Sequence, residues 1–150
     1  MKILLAVDGS DYSKAAVDAV AERPWPEGTT VKIISAAELP YLATTEPWAV
    51  PDGYYVQTEH VASKQAEAAV REARHRLQAG AEKPLELIGE VRTGRAEDVI
   101  IEEAERWPAD LIVIGSHGYR GLTRFLLGSV SHAVATHAPC SIEIVRQPAQ

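Results

Sequence analysis

The stretch DLIVIGSHGYRGLTRFLLGS, residues 110–129, joins a short apolar run to a set of unevenly spaced glycines. Residues 111–114 have the length and the Ile, Leu and Val content of a strand buried on both faces of a parallel sheet. The glycines that follow are Gly115, Gly118, Gly121 and Gly128. Since ligands of open parallel sheets bind beyond the carboxyl ends of strands, this loop is the first place to look for a site.

The rest of the chain repeats this strand-length pattern and alternates it with helical patterns. Apolar runs occupy residues 3–7, 31–35, 85–88, 111–114 and 142–145. Helical periodicity or composition marks residues 12–21, 61–77, 97–107 and 130–137. Strict alternation of this kind predicts an α/β fold, an open five-stranded parallel sheet with helices on both faces and right-handed crossovers.

The composition limits the classes of protein to which the chain can belong. The 150 residues, 46% of them hydrophobic, suit a single domain spanning residues 1–150. A net charge of -6 provides no long-range attraction to nucleic acid, and Cys140 has no second cysteine to pair with in the chain. The apolar stretch at residues 3–7 is too short for a signal peptide or a membrane helix, so we expect a soluble, cytoplasmic protein without membrane association.

Asp8 follows the first predicted strand and leads into a turn whose helix has Ser10 or Asp11 as N-cap. A carboxylate at this edge can accept hydrogen bonds from ribose hydroxyls or reach a phosphate-bound cation through water. The alternative is a turn aspartate that bonds its own backbone.

The glycine loop has the features of a phosphate site. Gly115 and Gly118 allow the backbone to form a concave nest of N–H groups, and Gly128 with Ser129 opens the helix at 130–137. Arg120, Arg124 and His117 supply further donors, although each also fits a solvated loop. Neither a Walker A motif nor the triple-glycine dinucleotide motif is present. From these residues a mononucleotide or phosphate site is favoured over plain turn glycines.

The segments KILLAVDGSDYSKAAVDAV and VRTGRAEDVI through CSIEIVR, with the spacing Gly115-x2-Gly118-x9-Gly128-Ser129, resemble the universal stress protein family, in its ATP-binding branch. The resemblance implies a Rossmann-like, adenine nucleotide alpha hydrolase-like sheet of strand order 3-2-1-4-5. It also implies ATP with Mg²⁺ or Mn²⁺ as cofactor, Asp8 reaching the nucleotide-bound metal through water. The nucleotide-binding positions that it implies are Val7, Asp8, Ala36, Val91, Ile114, Gly115, His117, Gly118, Gly128, Ser129, Val130 and Ser131.

The same resemblance implies a homodimer that pairs through the last strand, Ser141–Val145. We expect a nucleotide-dependent regulatory protein of the stress response with no catalytic residues and at most slow ATP hydrolysis or autophosphorylation, on Ser129 or Ser131. The alternatives are a homodimeric interaction module without nucleotide and a cyclic AMP binder. Residues 37–54 are interpreted either as a lid or as a surface insertion. His60, His75, His132 and His137 are interpreted as structural because they form no metal-ligand spacing.

Overall fold

The computed structural model describes residues 1–39, 53–118 and 127–146. Five strands and four helices alternate in this part of the chain. They are β1 (Lys2–Ala6), α1 (Asp11–Ala21), β2 (Thr30–Ala37), α2 (Tyr54–Gly80), β3 (Glu86–Thr93), α3 (Ala96–Arg106), β4 (Leu111–Gly115), α4 (Ser129–His137) and β5 (Ser141–Val145).

The strands form one parallel sheet in the order β3-β2-β1-β4-β5, which confirms the predicted architecture and order. β1 lies at the centre, and four of its five residues are buried, consistent with its continuous apolar sequence. The chain order reverses between β1 and β4, because β2 lies on one side of β1 and β4 on the other. The switch point, where ligands bind in such sheets, is therefore at the ends of β1 and β4.

Two apolar clusters pack the helices against the two faces of the sheet. One is built from alternate strand residues such as Ile3, Leu5 and Val113 with α1 and α2. The other joins the opposite strand face to α3 and α4 and includes Leu4 and Ile112. Because β-strand side chains alternate between faces, each central strand contributes to both cores, and helices cover both sides as predicted.

The second face also buries charge. Lys32 of β2 donates to Oε1 of Glu103 of α3 at 2.6 Å, and the Glu103 residue has no exposed surface. Arg106 binds the other oxygen of Glu103, and Arg92 of β3 lies 3.6 Å from it. Lys32 also lies over the ring of Trp107. These ion pairs attach α3 to two strands at one point.

Three element boundaries differ from prediction. β3 extends through Val91 to Thr93, where a turn was expected, since strand pairing with β2 continues to Thr93. α2 begins at Tyr54 rather than at Val61. The expected loop at residues 37–54 starts inside β2, and residues 40–52 lie outside the described part. Among the described helices, none combines the length and apolar character needed to cross a membrane.

Candidate functional site

A cavity of about 970 Å³ opens at the carboxyl ends of β1, β2 and β4. Of the predicted site residues, the structure places all but Val91 in its walls. They are Val7, Asp8, Ala36, Ile114, Gly115, His117, Gly118, Gly128, Ser129, Val130 and Ser131. Positions that are more than a hundred residues apart in sequence thus meet at the switch point.

Val91 does not line this cavity. From the sequence, Val91 was expected in a turn after the third strand, beside the nucleotide. In the structure Val91 belongs to β3, opposite Ser35 of β2, and its side chain packs against the apolar cluster under α1 and α2. The cavity wall from this part of the chain is formed by residues 93–97 instead.

The turn after β1 is organised by its own side chains. Oδ1 of Asp8 accepts a hydrogen bond from the N–H of Ser10 at 2.9 Å, so Asp8 is a turn aspartate as well as a wall residue. Ser10 caps α1, because its Oγ accepts from the N–H of Ser13 at 3.2 Å. Gly9 has a φ of 82°, a left-handed conformation that suits glycine. The turn thereby holds the exposed carboxylate of Asp8 at the cavity.

The two ends of the glycine loop are joined at their base. The N–H of Gly128 donates to the carbonyl of Ser116 at 2.8 Å. Oγ of Ser131 donates to the same carbonyl at 2.9 Å and lies 3.0 Å from the carbonyl of Gly128. These bonds set the start of α4 beside the end of β4. Arg120 and Arg124, interpreted as further donors or as solvated loop residues, lie outside the described residues, as does Gly121.

The first turn of α4 presents backbone donors to the cavity. α4 starts at Ser129 after the N-cap Gly128, and the N-cap supplies no side-chain hydrogen bond. The first N–H groups of a helix have no partner within the helix, and the helix dipole adds positive potential there. No acidic side chain stands in this first turn. The arrangement suits an anion.

His117 belongs to the glycine loop and contacts α1. Its ring centroid is 5.0 Å from that of Tyr12, and its Nδ1 lies 3.2 Å from Oγ of Ser116. These two contacts orient the imidazole in the cavity wall, where it can hydrogen-bond a polar ligand.

Several wall residues were not predicted. Glu38 follows β2, Arg95 and Glu97 bracket the start of α3, and Gln65 belongs to α2. The one sequence signal for a turn at this place was the glycine at position 94, which has a φ of 146° in the structure. Glu38 and Gln65 carried no local pattern that links them to the glycine loop.

The described residues contain no group of three or more His, Cys, Asp or Glu side chains placed to hold a metal ion. Cys140 is half-buried against the α3 and α4 cluster, and burial together with the nearby Asp110 raises the pKa of its thiol. Its position agrees with the interpretation as a small apolar side chain.

A family model described as the universal stress protein family matches residues 1–146. The chain belongs to the universal stress protein family. Sequence relatives agree with this assignment. Universal stress protein YxiE of Bacillus subtilis is 28% identical over 97% of this chain and 98% of its own length. Universal stress protein A homolog 1 of Coxiella burnetii is 31% identical over 93% of this chain and 92% of its own.

Solved structures of universal stress proteins share the fold. UspA from Lactobacillus plantarum is 26% identical, covers 97% of both chains and superposes with a TM-score of 0.79. A universal stress protein in complex with cAMP is 24% identical over 97% of this chain and 96% of its own, with a TM-score of 0.69. An Arabidopsis thaliana family member with AMP bound is 19% identical over 99% and 93%, with a TM-score of 0.65. The last two establish similarity of fold.

Proposed function

We propose that this universal stress protein binds ATP, together with Mg²⁺ or Mn²⁺, in the cavity at the switch point and acts as a nucleotide-dependent regulatory protein of the stress response. The phosphates occupy the first turn of α4, the ribose lies near Asp8 and His117, and the base extends toward Ala36 at the end of β2. Occupancy changes the surface offered to partners. Any hydrolysis or autophosphorylation is slow, and a turnover of many per second would contradict a regulatory role.

The observation that carries this proposal is the contrast between the starts of three helices. α1 is capped by Ser10, and the first N–H of α3 is bonded by Oε1 of Glu38. The N-cap of α4 is Gly128, which has no side chain to cap the helix, and the first turn contains no acidic residue. The first residues of this helix, Ser129–Ser131, line the cavity. N–H groups of a first helical turn that lines a cavity are suited to phosphate oxygens.

The residues at the cavity also suit a magnesium-bound nucleotide. Mg²⁺ keeps several waters and takes oxygen ligands, usually from the phosphates and one or two carboxylates. Asp8 provides a carboxylate on the cavity wall, and the described residues contain no metal-ligand cluster. As the family resemblance implies, Asp8 would reach the metal through water. When bound, the metal neutralises part of the phosphate charge.

Structural neighbours support an adenine nucleotide, since two universal stress proteins of this fold carry cAMP and AMP. Cyclic AMP is for this reason a second candidate ligand. A single cyclic phosphate would engage fewer of the N–H groups of Ser129–Ser131 than a polyphosphate chain does, so the wall geometry favours ATP.

We also propose that the protein forms a homodimer through β5, which remains the active unit if no nucleotide binds. The two edges of the sheet differ. At the β3 edge, Arg74 of α2 donates from its Nη2 to the carbonyl of Leu87 at 3.1 Å. The strand also carries charged residues, Glu86, Glu90 and Arg92. On β5, the charge of Glu143 is balanced by Arg23 in an ion pair, which leaves an edge with fewer barriers to pairing. Light scattering should give twice the 16.3 kDa mass of the chain, and a monomer mass at micromolar concentration would oppose the dimer.

Ser129→Asp tests the phosphate position. A carboxylate at a helix N-terminus stabilises the helix by about 0.3–1 kcal/mol. We therefore expect the ligand-free variant to unfold at the same temperature as the wild type or higher. Its affinity for ATP should fall at least about tenfold, because the carboxylate would repel the phosphates at close range.

Ser129→Asn is the matched control, since it has nearly the same shape without the charge. It should keep affinity within a few-fold of wild type in the same equilibrium dialysis experiment with ATP and Mg²⁺. Equal affinities of the Asp and Asn variants would contradict the placement of phosphate at α4.

A further inference from the structure

The end of the cavity beyond β2 is formed by two segments that are hydrogen-bonded to each other. The N–H of Gly94 donates to the carbonyl of Ala37 at 3.2 Å. The N–H of Ala96 donates to Oε1 of Glu38 at 2.7 Å. Glu38 from the end of β2 and Glu97 from the first turn of α3 thereby become parts of one cavity wall. This wall presents carboxylates to the cavity, whereas the start of α4 presents backbone N–H donors.

Charge at this wall is negative. Arg95 pairs with Glu97 and lies 3.9 Å from Asp98, with 76% of its side chain exposed. One guanidinium thus stands beside two carboxylates. Among the described residues, the hydrogen bond that Glu38 accepts involves only Oε1. Glu38 is an exposed residue, so its second oxygen accepts from water or from the donor of a bound ligand.

The position of this wall matches the base of a bound nucleotide. α4 follows β4, Glu38 follows β2, and β1 lies between these two strands. Neighbouring strands are about 4.8 Å apart, so the two ends of the cavity are separated by about 10 Å across the sheet. A nucleoside phosphate whose phosphates lie at α4 is long enough to bring the edge of its base to Glu38.

We propose that Glu38 selects purine nucleotides whose base carries an exocyclic amino group at position 6, as adenine does. This rests on the proposed ATP site and specifies its base preference. The amino group at position 6 of adenine donates to the carboxylate. Hypoxanthine and guanine carry a carbonyl oxygen at that position, so two acceptors would face each other and lose their hydrogen bonds to water.

The test compares ATP with ITP, which has the same ribose and triphosphate and hypoxanthine as base. Both are titrated with Mg²⁺ into the full chain after removal of any bound nucleotide. We expect wild type to bind ATP at least about tenfold more tightly than ITP, as a hydrogen bond to a charged group provides.

Glu38→Gln changes the preference without removing the contact to α3. The amide oxygen of the new side chain still accepts from the N–H of Ala96, so the amide NH₂ takes the place of the free carboxylate oxygen. A donor at this place should favour the carbonyl of hypoxanthine, and the preference for ATP should vanish or reverse. Asp98→Asn is the control: it changes charge on the same helical turn outside the cavity wall and should keep the wild-type preference.

The outcomes separate the two proposals. If wild type binds neither nucleotide, the proposed ATP site fails and the base preference fails with it. If wild type binds both equally, or Glu38→Gln keeps the wild-type ratio, the ATP site stands and selection by Glu38 is wrong. A ratio that changes in Glu38→Gln and not in Asp98→Asn supports the selection.

Discussion

Gly115 and Gly118 have different neighbours although they belong to one loop. A Cβ on Gly115 would lie 2.6 Å from the carbonyl oxygen of Tyr12, which is backbone of α1. A Cβ on Gly118 would lie 2.7 Å from Oδ2 of Asp8, which is the end of a side chain. The first neighbour moves only with its helix, whereas the second can rotate away.

This difference predicts separate effects of two alanine substitutions. Gly115→Ala should lower the free energy of unfolding by about 1–3 kcal/mol, as overpacking does. Gly118→Ala should cost less stability but displace Asp8, and so weaken ATP binding several-fold. Urea denaturation and nucleotide titration of both variants check this, and a Gly118→Ala protein with wild-type affinity would contradict a role of Asp8 at the nucleotide.

At the level of single residues, the sequence located the glycine loop because its glycines and Ser129, the first residue of α4, form a local pattern. The Glu38 contact was not predictable in this way. Glu38 and Ala96 are 58 positions apart, and nothing near either residue specifies the other as a partner. Val91 was misplaced since the local motif Val-Arg-Thr-Gly resembles a turn, while strand pairing with β2 decides its direction.

Helix α3 is held to the sheet by charge as well as by apolar packing. Glu103 is fully buried and contacts Lys32, Arg106 and Arg92. Glu103→Gln leaves these cations without their common counter-ion, and we expect the free energy of unfolding to fall by about 3 kcal/mol or more. Glu67→Gln, which removes an exposed pair with Arg71, should cost under about 1 kcal/mol in the same urea experiment. Similar losses of unfolding free energy in both variants would show that burial does not increase the contribution of the ion pair to stability.

A second charged contact joins Arg23, which follows the end of α1, to Glu143 of β5 and depends on pH. Two hydrogen bonds from Arg23 lower the pKa of Glu143. A carboxyl whose pKa is lowered on folding adds stability above its unfolded pKa, and this stability is lost as pH falls through the folded value. The difference in unfolding free energy between wild type and Glu143→Gln should be present at neutral pH, below about 1 kcal/mol because the pair is partly exposed. It should shrink in acid, and a difference that does not change with pH would refute the contribution.

At the element scale, the central strands were predicted well because they are continuous apolar runs. β3 was predicted to end at Ile88, since Gly89, Glu90 and Arg92 interrupt the apolar pattern. The strand continues because Glu90 and Arg92 find partners on α3 and β2 that are distant in sequence. α2 likewise begins before its Ala-rich region.

At the scale of the whole molecule, the order of the strands determines which loops meet. Alternating strands and helices predicted the class of fold, while the order 3-2-1-4-5 came from the family resemblance and is confirmed by the sheet. This order brings the β1 turn beside the start of α4 and places the Glu38 wall two strands away. One cavity therefore has a donor-rich end and a carboxylate end.

A calorimetric titration of ATP with Mg²⁺ into nucleotide-free wild-type protein tests the proposed nucleotide site. We predict saturable binding of one ATP per chain, with a matching rise in unfolding temperature because the ligand binds only the folded state. No heat of binding and no shift in unfolding temperature, up to millimolar ATP, would contradict the nucleotide site and favour the homodimeric interaction module.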